Sequence, residues 1–343
     1  MRDEIVIDCG HSMRYALFLL LSCLAWAADY PPPVEGDWTV PSFRFHTGQA
    51  IDNLRLHYAT VGARTGLPVV LLHGTSGSGR NFLTPQFAGE MFGPGQPLDA
   101  ARYFIVLPDS IGAGKSGKPS DGLAAKFPEY NYADMVTATH RLLTEGLGVP
   151  HVRVILGNSM GGMETWVFGE MFPDFMDALV PMASEPSAMG GRNWLMRRMV
   201  IDAIHKDPTN FRAAQVYFGI ATSGGALSLY NRFPNAEKAD KDLDRQLAEA
   251  RDSNPHDTLY MMQASSDYDP EPGLDKIRAR VLAVNSADDE RNPPELGVME
   301  KAMKRIPHAR YVLIPIGPET RGHGTTGGAK LWKQYLAEFL AKP

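Results

Sequence analysis

The chain has 343 residues, 44% of them hydrophobic, enough for one large domain or two small ones and too apolar for a disordered chain. Its formal net charge of −5 comes from interspersed acids and bases. No basic stripe is present, which argues against nucleic acid as a partner.

The amino terminus reads as a targeting segment. Met13-Arg14 opens a short basic region, and Tyr15 to Trp26 is an apolar run too short to span a bilayer comfortably. Ala25-Trp26-Ala27 has the small-x-small form of a signal peptidase site. Residues 1–27 are therefore expected to be a signal peptide with its true start at Met13. The protein is expected to be exported, periplasmic or secreted, without an integral membrane anchor. Leu20 to Cys23 resembles a lipobox poorly, so lipidation at Cys23 is the lesser alternative. Cys9 and Cys23, the chain's two cysteines, both precede the expected cleavage. The mature chain is then left with no disulfide, thiol nucleophile or cysteine metal site.

Tyr30 to Pro33 reads as an extended leader. Phe43 to Phe45 and Leu54 to Ala59 alternate as antiparallel strands do. Leu67 to Leu72 is a continuous apolar run, the pattern of a strand buried on both faces, and it ends in His73-Gly74-Thr75-Ser76-Gly77. Tyr103 to Leu107 is the next strand. The loop after it nearly fits two nucleotide motifs, but Asp109 stands where a Walker A loop needs its first glycine. Lys118 to Gly122 also lacks the helix opening that a pyrophosphate site requires. A structural glycine turn is the better reading. Tyr132 to Leu147 is an amphipathic helix, His151 to Leu156 a strand, Glu164 to Phe172 a helix and Ala178 to Ala183 a strand.

Strand and helix thus alternate as in a mostly parallel, doubly wound sheet, the α/β class. From Ser184 to about Asp275 the alternation stops. Trp194 to Ile204 and Glu237 to Arg251 read as helices, with an aromatic stretch from Gln215 to Phe233 between them. Residues 184–275 are expected to form a helical cap insertion, and 28–183 with 276–343 the core. Aromatics of the cap either line a substrate pocket or pack beneath it. Arg280 to Asn285 and Tyr311 to Pro315 resume the sheet, and Ala329 to Leu340 is the final helix.

Between the His151 strand and the helix behind it stands Gly157-Asn158-Ser159-Met160-Gly161. Strand, Gly-x-Ser-x-Gly, helix is the context of a nucleophile elbow. A serine hydroxyl is a poor nucleophile at neutral pH and needs a base; His323 suits, because an imidazole titrates near neutrality. A carboxylate on the far ring nitrogen would hold one tautomer and tolerate the transient positive charge. Asp289 fills that role, with Asp288 as its close competitor. The N–H groups of Thr75 and Met160 would form an oxyanion hole. The order Ser159, Asp289, His323 is that of an α/β-hydrolase.

Ser159-Met160-Gly161-Gly162-Met163 and Asp289 to Pro294 together resemble the elbow and acid loop of the homoserine O-acetyltransferase-like branch of the α/β-hydrolase superfamily. The similarity runs from about Leu54 to the end of the chain. It implies an α/β-hydrolase fold and an acyl-enzyme on Ser159. Departures are Asn158 where that family has glycine, His73-Gly74-Thr75 in the oxyanion loop, Lys115 to Pro119, and Gly324 where the family's aspartate meets the substrate amine. The triad carries over residue by residue; the homoserine site does not. The expectation is a serine hydrolase cleaving a carboxylic ester or related small-molecule acyl compound, with no cofactor and no metal. The alternatives are an acyltransferase using the same triad and a non-catalytic binding protein on a hydrolase scaffold.

Overall fold

The computed structural model describes residues 29–341. The expected signal peptide, its cleavage site and the lipidation alternative lie outside the described residues. Eight strands form one sheet in the order β1-β2-β4-β3-β5-β6-β7-β8. They are β1 (Val34–Arg44), β2 (Ala50–Val61), β3 (Leu67–Leu72), β4 (Tyr103–Pro108), β5 (Val152–Asn158), β6 (Met176–Met182), β7 (Arg280–Ser286) and β8 (Ala309–Ile314). β2 runs antiparallel to both β1 and β4, and all pairings from β4 through β8 are parallel. The expected mostly parallel, doubly wound α/β sheet is the one that forms.

β1 begins at Val34, well before the Phe43 strand start read from the sequence. Most of its side chains are exposed, because it is an edge strand paired on one side only. An edge exposed on both faces leaves little apolar alternation to read.

The central strands divide their side chains between two cores. In β3, Val70 and Leu72 face the core that also holds Trp166 and Phe168, whereas Val69 and Leu71 face the one that holds Phe87, Trp332 and Phe339. This is the two-residue period of a strand covered on both faces. Helices α2 (Tyr132–Arg141) and α3 (Met160–Met171) cover the first face, while α1 (Ala88–Met91) and α10 (Lys333–Ala341) cover the second.

Between β6 and β7 the chain makes five helices: α4 (Gly191–Lys206), α5 (Arg212–Ser223), α6 (Ala226–Arg232), α7 (Ala236–Glu249) and α8 (Pro255–Gln263). They have a small core of their own, with Val200, Ile201, Ile204, Phe211, Phe218 and Met262 buried together. Of the aromatics in this stretch, Phe211 and Phe218 are buried and Tyr217 and Tyr230 exposed. After β7 follow α9 (Val298–Met303), β8 and α10. Among the described residues no helix is long and apolar enough to cross a membrane.

Candidate active site

Parallel strands place all their carboxyl ends on one edge of a sheet, and this edge gathers the chemistry. Thr75 follows β3, Ser159 follows β5, Asp289 follows β7 and His323 follows β8. The turn at Ser159 is forced into φ 59°, ψ −115°, a conformation that a non-glycine residue adopts only under constraint. The Ser159 N–H donates to the Met182 carbonyl at 2.9 Å, and the Ser159 carbonyl accepts from Met163 N–H at 2.9 Å. Glycines make the turn possible. A Cβ on Gly157 would lie 1.9 Å from the Gly161 carbonyl oxygen, and one on Gly161 would lie 1.9 Å from that of Leu72. Any side chain at either position would force strand and helix apart.

The Ser159 hydroxyl lies 2.7 Å from His323 Nε2, and His323 Nδ1 lies 2.9 Å from Asp289 Oδ2. A carboxylate can only accept, so Nδ1 carries the hydrogen and Nε2 is left to accept the Ser159 O–H. Asp289 also accepts from the Arg291 N–H at 2.8 Å and from Asn292 Nδ2 at 2.8 Å. Asp288 points elsewhere, accepting from the Ser286 and Thr320 hydroxyls at 2.6 and 2.8 Å. Of the two neighbouring aspartates, Asp289 is therefore the one that meets the imidazole.

Burial raises the cost of ionising Asp289, but the His323 charge and the three hydrogen bonds outweigh it and hold its pKa below the ordinary value. For His323, burial favours the neutral ring; Asp289 opposes this, and the Arg291 and Arg197 guanidiniums reinforce it, so its pKa is lowered. Ser159 is 6% exposed and His323 8%. The imidazole stays neutral, as a general base must, to a lower pH than a solvated histidine would.

Around the serine, the loop after β3 passes close by. A Cβ on Gly74 would sit 3.4 Å from the Ser159 Cβ. His73 fixes this loop: its Nε2 accepts from the Ser110 N–H at 3.0 Å, and its Nδ1 meets the Gly74 carbonyl at 2.8 Å. Met160 is the first residue of α3, so its N–H has no acceptor within the helix. Among the described residues the Thr75 N–H likewise meets no acceptor. Both N–H groups expected to hold an oxyanion thus have no acceptor among the described residues.

Several residues to which the sequence reading gave no role support this arrangement. Asn158 Oδ1 accepts from the Thr326 hydroxyl at 2.6 Å, tying the elbow to the His323 loop. The α5–α6 junction closes on both loops: the His323 N–H donates to the Ser223 carbonyl at 2.6 Å, and the Gly225 N–H to the Asp288 carbonyl at 3.2 Å. Gly224 and Gly225 have φ of 72° and 77°. A Gly-Gly pair between two helical stretches was the visible signal for that close approach. Glu164, five residues after Ser159, is fully buried; its Oε1 accepts from the Ser110 hydroxyl at 3.3 Å and its Oε2 has no partner. Burial pushes its carboxyl up to about 8, with the Ser110 hydrogen bond pulling weakly the other way.

The glycine turn after β4 spends its donors inward. Asp109 accepts from the Gly79 and Lys115 N–H groups at 2.8 Å each, and the Ser116 hydroxyl donates to the Asp109 carbonyl at 2.7 Å. Among the described residues no cluster of histidine, cysteine, aspartate and glutamate is arranged to hold a metal ion. A cavity of about 870 Å³ opens beside the acid loop, lined by Met163, Glu185, Tyr268, Asp289, Arg291 and Asn292 among others. Ser159 and His323 do not line it, and both are buried.

A family model described as the alpha/beta hydrolase fold matches residues 68–318. The chain is 28% identical over 291 residues to a probable acyltransferase of Methanothermobacter thermautotrophicus, covering 80% of this chain and 88% of that one. Its structure is similar to an acetylester hydrolase from Corynebacterium glutamicum, with a TM-score of 0.78 at 18% identity, over 90% of this chain and 96% of that one. A homoserine O-acetyltransferase from Staphylococcus aureus gives a TM-score of 0.78 at 20% identity, over 90% and 95% of the two chains. At these identities the structural likeness speaks for the fold alone, and the names divide between hydrolysis and acyl transfer.

Proposed function

Because the chain belongs to the α/β-hydrolase family, we propose that it is a serine hydrolase that cleaves a small carboxylic ester or related acyl compound through an acyl-enzyme on Ser159. The observation that carries this reading is the continuous line Ser159 Oγ, His323, Asp289, with contacts of 2.7 and 2.9 Å. In the proposed reaction the Ser159 oxygen attacks the acyl carbon while His323 Nε2 takes its proton. The Thr75 and Met160 N–H groups receive the negative oxygen. Collapse breaks the ester bond, and the proton on His323 leaves with the alcohol. Water then attacks the acyl-enzyme, again giving its proton to His323, and the carboxylic acid departs as Ser159 is reprotonated. Asp289 orients the ring and stabilises its charged form. Residues 184–275 act as a lid whose opening admits substrate.

Hydrolysis is favoured over acyl transfer by two features. Gly324 provides no carboxylate for an acceptor amine, and an unpaired ammonium in a closed site is costly. Asn158, which accepts from the Thr326 hydroxyl, stands where the transferase family has glycine. Export would also place the enzyme away from acetyl-CoA. The second reading, an acyltransferase on the same residues, draws on the name of the Methanothermobacter relative. Purified protein given a short acyl ester, or acetyl-CoA with homoserine, separates the two. Free acid from the ester and no acetylhomoserine is expected; acetylhomoserine forming faster than ester is hydrolysed would restore the transferase. Export itself is tested by mass spectrometry of the secreted protein, with Ala28 expected at its terminus and an uncleaved product contradicting it.

A further inference from the structure

Two arginines stand beside the candidate site, Arg197 buried and Arg291 half-buried. Arg197, on α4, is 1% exposed. Its Nε donates to Asn193 Oδ1 at 3.1 Å, its Nη1 to the Met262 sulfur at 3.9 Å and its Nη2 to the Thr75 hydroxyl at 3.2 Å. Arg291, two residues after Asp289, donates from Nε to the Thr222 hydroxyl at 2.8 Å. The two guanidinium carbons lie 5.5 and 4.5 Å from the centre of the same ring, Phe218. Each therefore has neutral partners, and among the described residues neither forms an ion pair with a carboxylate.

The charges around them do not cancel. Burial, and then repulsion from Arg197, brings the Arg291 pKa down to about 10, so it is still a cation at neutral pH. Asp289 is the carboxylate that acts on Arg291, and it is already engaged by His323. The other buried carboxyls nearby add nothing: burial first raises both Glu164 and Glu185 to about 8, which leaves them mostly protonated at pH 7. On the rim of the cavity that Arg291 lines, Glu290 pairs with Arg192. Two guanidiniums thus stand against one carboxylate. A buried charge without a counter-ion is destabilising, and replacing such a group by an apolar one of like volume is often neutral or favourable. Fold stability gives no reason for this pair, and its position beside the Thr75 loop and the His323 partner gives a functional one.

We propose that Arg197 and Arg291 form an anion subsite, and that the ester this protein cleaves carries a free carboxylate a few atoms from the scissile carbonyl. The substrate carboxylate supplies the missing negative charge when the lid opens and recloses, and its desolvated pairing with two guanidiniums discriminates against a neutral ester of the same shape. Phe218 holds the guanidiniums by their contacts with its ring, so little side-chain entropy is lost on binding. The inference rests on the hydrolase reading and narrows its substrate class.

Two matched pairs of esters test it and tell which side of the ester bears the charge. Monoethyl succinate against ethyl 4-methylpentanoate places the carboxylate on the acyl part. O-acetylglycolate against isobutyl acetate places it on the alcohol part. The wild-type protein should give a kcat/KM at least tenfold higher for one charged ester than for its isostere. That ratio should fall to one or below in Arg197→Met and Arg291→Met and partly recover in the corresponding lysine variants. A wild-type ratio of one or less, or an equal loss for both members of a pair in the methionine variants, would overturn the subsite and leave the arginines as supports of the oxyanion loop. Thermal melting of Ser159→Ala with succinate supplies a readout without turnover: a rise in Tm is expected, and it should vanish when either arginine is also replaced by methionine. Succinate binding without ester turnover would keep the subsite and remove the hydrolase reading. Turnover without charge preference or succinate binding would do the reverse. Should Arg197→Met fail to fold, the wild-type ratio and the Arg291 variants decide.

Discussion

The sheet and the helical segment between β6 and β7 are built differently. The sheet's middle strands are buried on both faces, and its two cores together enclose most of the large apolar side chains. The five helices share a core of six fully buried residues and leave Leu195, Met199, Tyr217 and Tyr230 exposed. The sheet delivers Ser159, Asp289 and His323 from strand ends whose register is fixed by parallel pairing. The helices deliver Arg197, Phe218 and the Ser223–Gly225 junction. Reaction chemistry therefore rests on the sheet's strand ends, and the proposed recognition of substrate is shared between the helices, which carry Arg197, and the acid loop after β7, which carries Arg291.

The comparison predicts a ranking of effects. The largest belongs to the strand ends. Ser159→Ala should lower kcat by about six orders of magnitude while leaving Tm close to wild type, since it removes one hydroxyl. Asp289→Asn should cost about four orders of magnitude by favouring the wrong imidazole tautomer. Asp288→Asn, which loses contacts only to Ser286 and Thr320, should cost no more than about tenfold, because the ring stays oriented. Steady-state kinetics on one ester checks all three, and the reverse order for the two aspartates would move the acid to Asp288.

A smaller effect is expected where the helices grip the site. A Cβ on Gly224 would lie 2.0 Å from the Asp288 carbonyl oxygen, at a φ of 72° that strains any other residue. Gly224→Ala should therefore push the α5–α6 junction off the acid loop and loosen His323, whose N–H donates to Ser223. Misplacement by about 1 Å costs of the order of a hundredfold in rate. Unchanged kcat would mean that the junction is a bystander and that the sheet alone positions His323.

What was legible in the sequence divides along the same line. Buried parallel strands are continuous apolar runs, so β3 to β8 and the order of the three site residues could be read directly. Gly157 and Gly161 announced a turn that only glycine permits. β1 was read short because an exposed edge strand carries little periodicity. The two arginines gave no signal, because charge in a sequence reads as surface. They meet only when α4 brings Arg197 to the Thr75 hydroxyl and α5 places the Phe218 ring against both guanidiniums. Choosing between Asp288 and Asp289 likewise needs side-chain direction, which follows from the turn after β7 and not from residue type.

The mildest prediction concerns Glu164, on the α3 helix that covers the sheet, and reads stability through pH. Its folded carboxyl is raised by burial to about 8, against an ordinary value of 4.5. The folded protein thus keeps a proton that the unfolded chain releases above that ordinary value. Stability contributed by the protonated form is fully present at low pH, is lost as pH rises from about 4.5 to about 8, and changes no further beyond. His323, with a lowered pKa, gives a slope of opposite sign below 6.5, but it is common to wild type and variant and cancels in their difference. Glu164→Gln keeps the shape and the hydrogen bond from Ser110 without an ionisable group. Its Tm should match wild type near pH 4.5 and exceed it increasingly towards pH 8, where the gain amounts to a few kcal/mol at most. A Tm difference that stays constant from pH 5 to pH 9 would show that Glu164 does not titrate in this window, and that the layer beneath the serine is wetter than its packing indicates.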